Sequence, residues 1–260
     1  MTSTDLCDCN KAVALDVRDF VLNVPDVKEE SITDYLVWKW RLLDSRFNFL
    51  KVKTFTRQEE NTTTGADFEL WLIGRTKCIP LLFQAKKFLK PFDSYVLKLN
   101  FPKNTQGQLG TLLAHAKSGR FLPFYAIYTG HNRTVRPMCG GHRSDCDTGV
   151  YMIDATTVKG FADGRRRKPL ALDDILRKSN PFHCMFCCTM GIEKNYFSRH
   201  FSAQPLVDVV RGPNDLPQYV QELLNMDLAS QLPEQSRERL QNVALSPARI
   251  IGVYDLRQEE

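Results

Sequence analysis

Hydrophobic and polar positions change their period several times along the chain, and each change marks an element. In EESITDYLVWKWRLL, residues 29–43, Ile32, Leu36, Trp40 and Leu43 recur at helical spacing and predict a helix with one buried stripe. Two start signals compete for its first turn: Asp26 with Glu29, and Ser31 with Asp34, each a cap-like pair three residues apart. The period then shortens to two. FLKVKTFT (49–56) and DFELWLIG (67–74) alternate as half-buried strands, with a polar turn from Glu59 to Gly65 between them. CIPLLFQAKKF (78–88) is a nearly continuous apolar run ending in charge, as a central strand requires. QGQLGTLLAHAKSG (106–119) returns to helical spacing and stops at Gly119. PFYAIYTG (123–130) is a fourth strand.

The predicted order is helix, three strands, helix, strand. Residues 131–149 are rich in Gly, Arg and Cys and read as an irregular insertion; GVYMIDATTV restarts regular structure. GRRRKP (164–169) is a basic loop. From Asp215 onward the chain has eight acids and four bases and reads as helical. Three regions are expected: a core over 1–130, a Cys- and His-containing continuation over 131–212, and a helical C-terminal extension over 213–260. The N-terminus before the first predicted helix reads as mobile.

Composition narrows the function classes. With 260 residues, 43% hydrophobic and 25% charged, the chain has the make-up of a folded domain rather than a disordered or fibrous one. No run of about 18 apolar residues suggests a membrane span. The first residues lack the basic-then-apolar pattern of a secretion signal, so a cytoplasmic location is expected. The net charge of +5 permits a polyanionic partner without demanding one.

The charge is concentrated, however: residues 75–103 hold seven Lys or Arg and one acid. That stretch brackets the chemistry-bearing residues. Strand neighbours two apart share a face, so Gln84 and Lys86 project together while Phe83 and Ala85 point the other way. If the strands around 70 and 82 form a hairpin, Asp67 lies beside Gln84 and Lys86. A carboxylate, an amide oxygen and the Ala85 carbonyl suit Mg²⁺ or Mn²⁺, which take oxygen ligands. Lys86 could orient a water and offset charge on a phosphate. Each residue also has a plainer reading: Asp67 as a turn residue, Lys86 as a solvated strand end. Glu69 shares the face of Asp67 and is a weaker candidate, and His115 reads as a packing residue of the second helix.

The element order with Asp followed by Gln-x-Lys resembles the PD-(D/E)XK nuclease superfamily over about residues 26–130. The resemblance implies an α/β fold with a restriction-endonuclease-like core: a mixed central sheet flanked by helices in the order α-β-β-β-α-β. It implies Mg²⁺- or Mn²⁺-dependent hydrolysis of phosphodiester bonds, most simply in DNA, leaving a 5′-phosphate, in a setting such as restriction or phage defence. The motif positions are Asp67, Gln84 and Lys86, with the metal on Asp67, Gln84 and Ala85. This chain has Gln where the superfamily usually has an acid, and Gly-Ala rather than Pro before the Asp. The family's first-helix acid maps to Glu30, with Glu29 as the alternative. Its polar residue on the helix after the third strand maps to Gln106. Many members form homo-oligomers, and an activating partner is a further expectation.

The cysteines add a second expected centre. Cys139 and Cys146 bracket one loop, and Cys184 and Cys187 form a Cys-x-x-Cys pair. Two pairs of thiols suit a tetrahedral structural Zn²⁺, with His142, His183, Cys188 and His200 as substitutes. The alternative is a set of buried free thiols. Cys7 and Cys9 form too short a pair to count. Two functional readings compete with the nuclease: a non-catalytic nucleic-acid- or protein-binding module on the same fold, and a structural zinc protein whose Asp and Gln-x-Lys match by chance.

Overall fold

Every strand predicted from residues 49 to 130 is present, and each forms where the pattern placed it. The computed structural model describes residues 3–47, 50–54, 65–88, 107–131, 148–164, 170–186, 211–225 and 250–257. Strands β1 (Leu50–Thr54), β2 (Phe68–Ile73), β3 (Cys78–Lys87), β4 (Leu122–Tyr128), β5 (Val150–Asp154), β6 (Asn180–Pro181) and β7 (Ile250–Asp255) make one mixed sheet in the order β1-β7-β2-β3-β4-β5-β6. The hairpin β2–β3 is antiparallel, β3–β4 is parallel, and β4–β5 and β5–β6 are antiparallel.

Helices cover both faces, so the middle strands are apolar on both sides and read as unbroken hydrophobic runs. On one face, α1 (Ser3–Asn23), α2 (Glu29–Phe47) and the 3₁₀ turn Phe182–Phe186 pack on Phe68, Leu70, Leu81, Phe83, Phe124 and Met152. On the other, α3 (Gln108–Gly119), α4 (Ala155–Gly164), α5 (Leu172–Leu176) and α6 (Gln218–Leu224) pack on Trp71, Leu82, Tyr125, Ile127 and Tyr151. Trp40, 2% exposed, centres the first layer: its ring meets Phe68, Phe182, Phe186 and Tyr254. The predicted stripe Ile32, Leu36 and Trp40 is the buried face of α2.

Two expectations are corrected. The N-terminus, read as mobile, is the long helix α1, which buries Val13, Ala14, Val17 and Val21 on one face. Its β-branched residues are poor helix formers, and tertiary packing overrides that preference. The tail, read as a helical extension, holds the helix α6 and then ends in a strand. β7 lies between β1 and β2, antiparallel to the first and parallel to the second. The helix predicted to stop at Gly119 does end there, but the left-handed residue is Arg120, at φ 59°, whose N–H donates to Ala116 O. The expected α/β class, with a mixed sheet flanked by helices, is the observed one. No helix among the described residues is long and apolar enough to cross a membrane.

β7 closes the sheet with the last part of the chain. Ile250, Ile251, Val253 and Tyr254 are buried on its two faces, and the Tyr254 hydroxyl donates to Asn10 Oδ1 of α1 at 3.0 Å. Each such side chain contributes about 1.5–3 kcal/mol, together comparable to the roughly 5–15 kcal/mol total of a domain. A chain truncated after Arg249 is expected to lose its cooperative thermal transition by near-UV circular dichroism. A retained sharp transition would mean that β1 and β2 close on each other without β7.

His115, on α3, stacks on Phe121 with ring centroids 6.3 Å apart, and burial lowers its pKa below the ordinary value. The unfolded chain therefore takes up this proton at higher pH than the fold does. The stability this group contributes is fully present above about pH 6.5 and is lost as the pH falls through the folded value. On going from about pH 7.5 to about pH 5.5, the melting temperature of His115→Leu should fall less than that of the unaltered protein. Equal falls would show that His115 does not contribute.

Candidate active site

The β2–β3 hairpin brings together the residues that the motif placed 17 positions apart. Phe68 stands opposite Phe83, so Asp67, one residue before β2, lies against Gln84. The Asp67 N–H donates to Phe83 O at 2.8 Å and extends the ladder by one bond. Asp67 Oδ2 accepts the Ala85 N–H at 2.6 Å and also a hydrogen from Gln84 Nε2. Gln84 Nε2 donates in addition to Ala85 O at 3.2 Å. Gln84 is 2% exposed, and its Oε1 is buried without a hydrogen-bond partner. A carboxylate oxygen and a backbone carbonyl oxygen thus meet at one strand end, joined through the Gln84 amide nitrogen. That donor set fits a hard divalent cation.

The next residues of β3 bind the start of α2. Lys86 is 5% exposed, and its Nζ lies 3.8 Å from Glu29 Oε1. Glu29 Oε2 accepts the Lys87 N–H at 2.6 Å. The Lys87 ammonium donates to Pro25 O at 2.6 Å and to Val27 O at 2.5 Å, the segment leading into the helix. One turn along α2, Thr33 Oγ1 donates to Glu29 O at 3.1 Å and shares a 3.0 Å hydrogen bond with the Tyr128 hydroxyl of β4. Burial pushes the phenols of Tyr125 and Tyr128 well above their usual range. The charge of Asp67 adds to both shifts and that of Glu29 adds to the shift of Tyr128. Both tyrosines are therefore neutral hydroxyls beside two carboxylates.

A glycine makes room for this arrangement. Gly65, at φ +65°, leads through the buried Ala66 to Asp67. A Cβ on Gly65 would stand 2.6 Å from Gln108 O and 2.9 Å from Leu112 N, in the first turns of α3. The Gly-Ala step before Asp67 is thus a close approach of backbone to backbone. It also seats the N-terminus of α3 next to the Asp67 loop.

The other expected site residues fall as follows. Glu30 is the neighbour of Glu29 on α2, and the contacts to Lys86 and Lys87 given above are those of Glu29. Gln106 lies outside the described residues. Two positions on, Gln108 opens α3 beside Gly65, and its Oε1 is buried without a partner. Gln108 is a candidate that pattern reading missed, because the helix starts two residues later than its spacing suggested. Glu69 is fully buried and accepts hydrogens from Trp71 Nε1 and from the Tyr219 hydroxyl, the latter at 2.6 Å. It therefore anchors α6 to the sheet. Burial, then the charge of Glu69, pushes the Tyr219 phenol far up.

Of the expected zinc ligands, Cys139, Cys146 and Cys187 lie outside the described residues, as do His142, Cys188 and His200. Cys184 and His183 are buried in the turn Phe182–Phe186. Among the described residues, no three His, Cys, Asp or Glu side chains gather as a metal-holding group. The donors at Asp67 are one carboxylate, one amide and one backbone carbonyl. Of the basic stretch, Arg75, Lys77, Lys86 and Lys87 are described; Lys90, Lys98, Lys103 and the run at 165–168 lie outside.

Over residues 6–255 the chain matches the model of DUF6615, a family of unknown function, and it belongs to that family. No curated protein and no solved structure matches it.

A side chain at position 65 has to push α3 away from the Asp67 loop and hold a left-handed backbone. Gly65→Ala is expected to cost about 1–3 kcal/mol, read as a lower denaturation midpoint in urea. An unchanged midpoint would show that α3 and the loop are free to separate.

Proposed function

We propose that this chain is a metal-dependent nuclease of the PD-(D/E)XK kind that hydrolyses phosphodiester bonds in DNA. The observation that carries the reading is the convergence of Asp67, Gln84 and the Ala85 carbonyl at one strand end, with Lys86 next on the same face of β3. Asp67 offers the charged oxygen, fixed in direction by the Ala85 N–H. Ala85 O and Gln84 Oε1 offer neutral oxygens. A bound Mg²⁺ or Mn²⁺ supplies Lewis acidity toward a phosphoryl oxygen and acidifies the attacking water.

The chain's own groups do the positioning. Lys86, two residues from Gln84 on the same face of β3, would orient the water and offset negative charge that builds on the phosphate. Glu29 holds that ammonium from the α2 side and is itself held by the Lys87 N–H. Tyr125 and Tyr128 of the neighbouring strand β4 are buried and neutral. The neutral amide at position 84 leaves a single formal charge among the donors, so the site binds its cation weakly.

One observation favours a second reading. Gln84 donates to Asp67 and ties up the carboxylate from within the site, as a non-catalytic nucleic-acid- or protein-binding module would permit. Cleavage separates the two. With Mg²⁺ or Mn²⁺, the unaltered protein is expected to cut plasmid DNA. Asp67→Ala and Lys86→Ala should each lower the rate by about 10²–10³-fold. Equal cutting by all three would place the activity elsewhere. Absence of cutting, with salt-sensitive DNA binding retained, would favour the binding module.

A further inference from the structure

The side-chain amide of Gln84 does two incompatible jobs in the reading above. As a metal ligand it must offer Oε1. In the structure it offers Nε2, whose two hydrogens go to Asp67 Oδ2 and Ala85 O. Those acceptors are the other two oxygens of the donor set. Asp67 Oδ2 also receives the Ala85 N–H at 2.6 Å, so both of its lone-pair directions are taken. The backbone donor is fixed by the strand. Only the amide can give way. On the opposite side of that amide, Oε1 is buried without a partner.

We infer that Gln84 is a built-in substitute for the cation, and that the amide must turn over, Nε2 for Oε1, for a divalent ion to share Asp67 Oδ2 and Ala85 O. This rests on the metal-dependent reading and deepens it. In one orientation the amide hydrogens neutralise two acceptors and leave Oε1 unsatisfied. In the other, three oxygens face one point and repel unless a positive charge stands among them. A hard cation favours the second orientation, and its absence favours the first. The two states are exclusive at Asp67 Oδ2, where the amide and the Ala85 N–H together take both lone-pair directions. Glutamate, the usual residue of the superfamily at this position, has no donor to offer.

The experiment is a Mg²⁺ titration of the full chain with ¹⁵N-labelled glutamine side chains, run beside calorimetry in two buffers of different ionisation enthalpy. The Gln84 amide pair is assigned by its loss in Gln84→Glu. The expected result is that this pair shifts along the same saturation curve as the binding heat, and that the unaltered protein releases no proton on binding. Gln84→Glu, which adds a charged oxygen and has no amide donor, should bind Mg²⁺ more tightly. If Mg²⁺ binds and Asp67→Asn abolishes the binding, but the Gln84 pair stays in place, the metal reading stands and the turnover of the amide is refuted. If neither the unaltered protein nor Gln84→Glu binds Mg²⁺, the metal reading itself falls and takes this inference with it.

Discussion

The register of the β2–β3 hairpin is the constraint on which the site depends. Pairing Phe68 with Phe83 sets Asp67 against Gln84 and puts the Ala85 N–H on the Asp67 carboxylate. A slip of one residue would turn every side chain of a strand to the other face. Here both faces are buried, so a slip would move Phe68, Leu70 and Leu72 from the α1–α2 layer into space shaped for Trp71 and Ile73. The two cores therefore hold the register, and the register holds the site. The stacked pair Phe68–Phe83, with centroids 4.7 Å apart, lies next to the catalytic candidates and belongs to the core. Packing and chemistry meet at that pair.

From there the organisation extends to α2 through two consecutive lysines. Lys86 and Lys87 point to opposite faces of β3, as strand neighbours must, yet both are engaged at the start of α2, by its first turn and by the segment leading into it. Lys86 takes the carboxylate of Glu29, while Lys87 takes the carbonyls of Pro25 and Val27. The first turn of α2 carries Glu29 and Glu30, where negative charge is favourable to the helix dipole. One acid thus serves the helix terminus and the lysine together. The cap-like pair of Asp26 and Glu29 marked this residue as a helix start; its contact with β3 is a tertiary property that no local pattern carries.

What the sequence made legible follows the same division between local and distant. Periods of two and 3.6 located the strands and helices from residue 29 to residue 130, because each is long and amphipathic or continuously apolar. The Gln-x-Lys alternation placed Gln84 and Lys86 on one face, since strand geometry leaves no choice. β7 was not legible. IIGVYD is a short apolar run in an acidic tail, and its place between β1 and β2 is set by contacts with residues about 200 positions earlier. α1 was obscured by its valines, which favour strands in isolation and are helical here because α1 packs on α2 and the sheet. Gln108 and the crowding at Gly65 depend on where α3 docks, and spacing alone does not contain that. Glu69 was legible as sharing the face of Asp67, but its burial under α6 was not.

The charge balance at the strand end bears on what such a site can recruit. Asp67 and Glu29 are acids, Lys86 is a base and Gln84 is neutral, so these four groups together carry one negative charge. A divalent cation reverses that sign and leaves a local field that attracts a phosphodiester. An acid at position 84 would cancel the reversal, holding the cation more strongly and the polyanion less. At short range in a partly buried site each such charge is weighted far more than in water. In the nuclease reading proposed above, glutamine would shift the site from cation affinity toward attraction of the anionic backbone, with Lys86 on the same face of β3. In that reading, an amide in place of an acid would change the division of labour between metal and substrate binding.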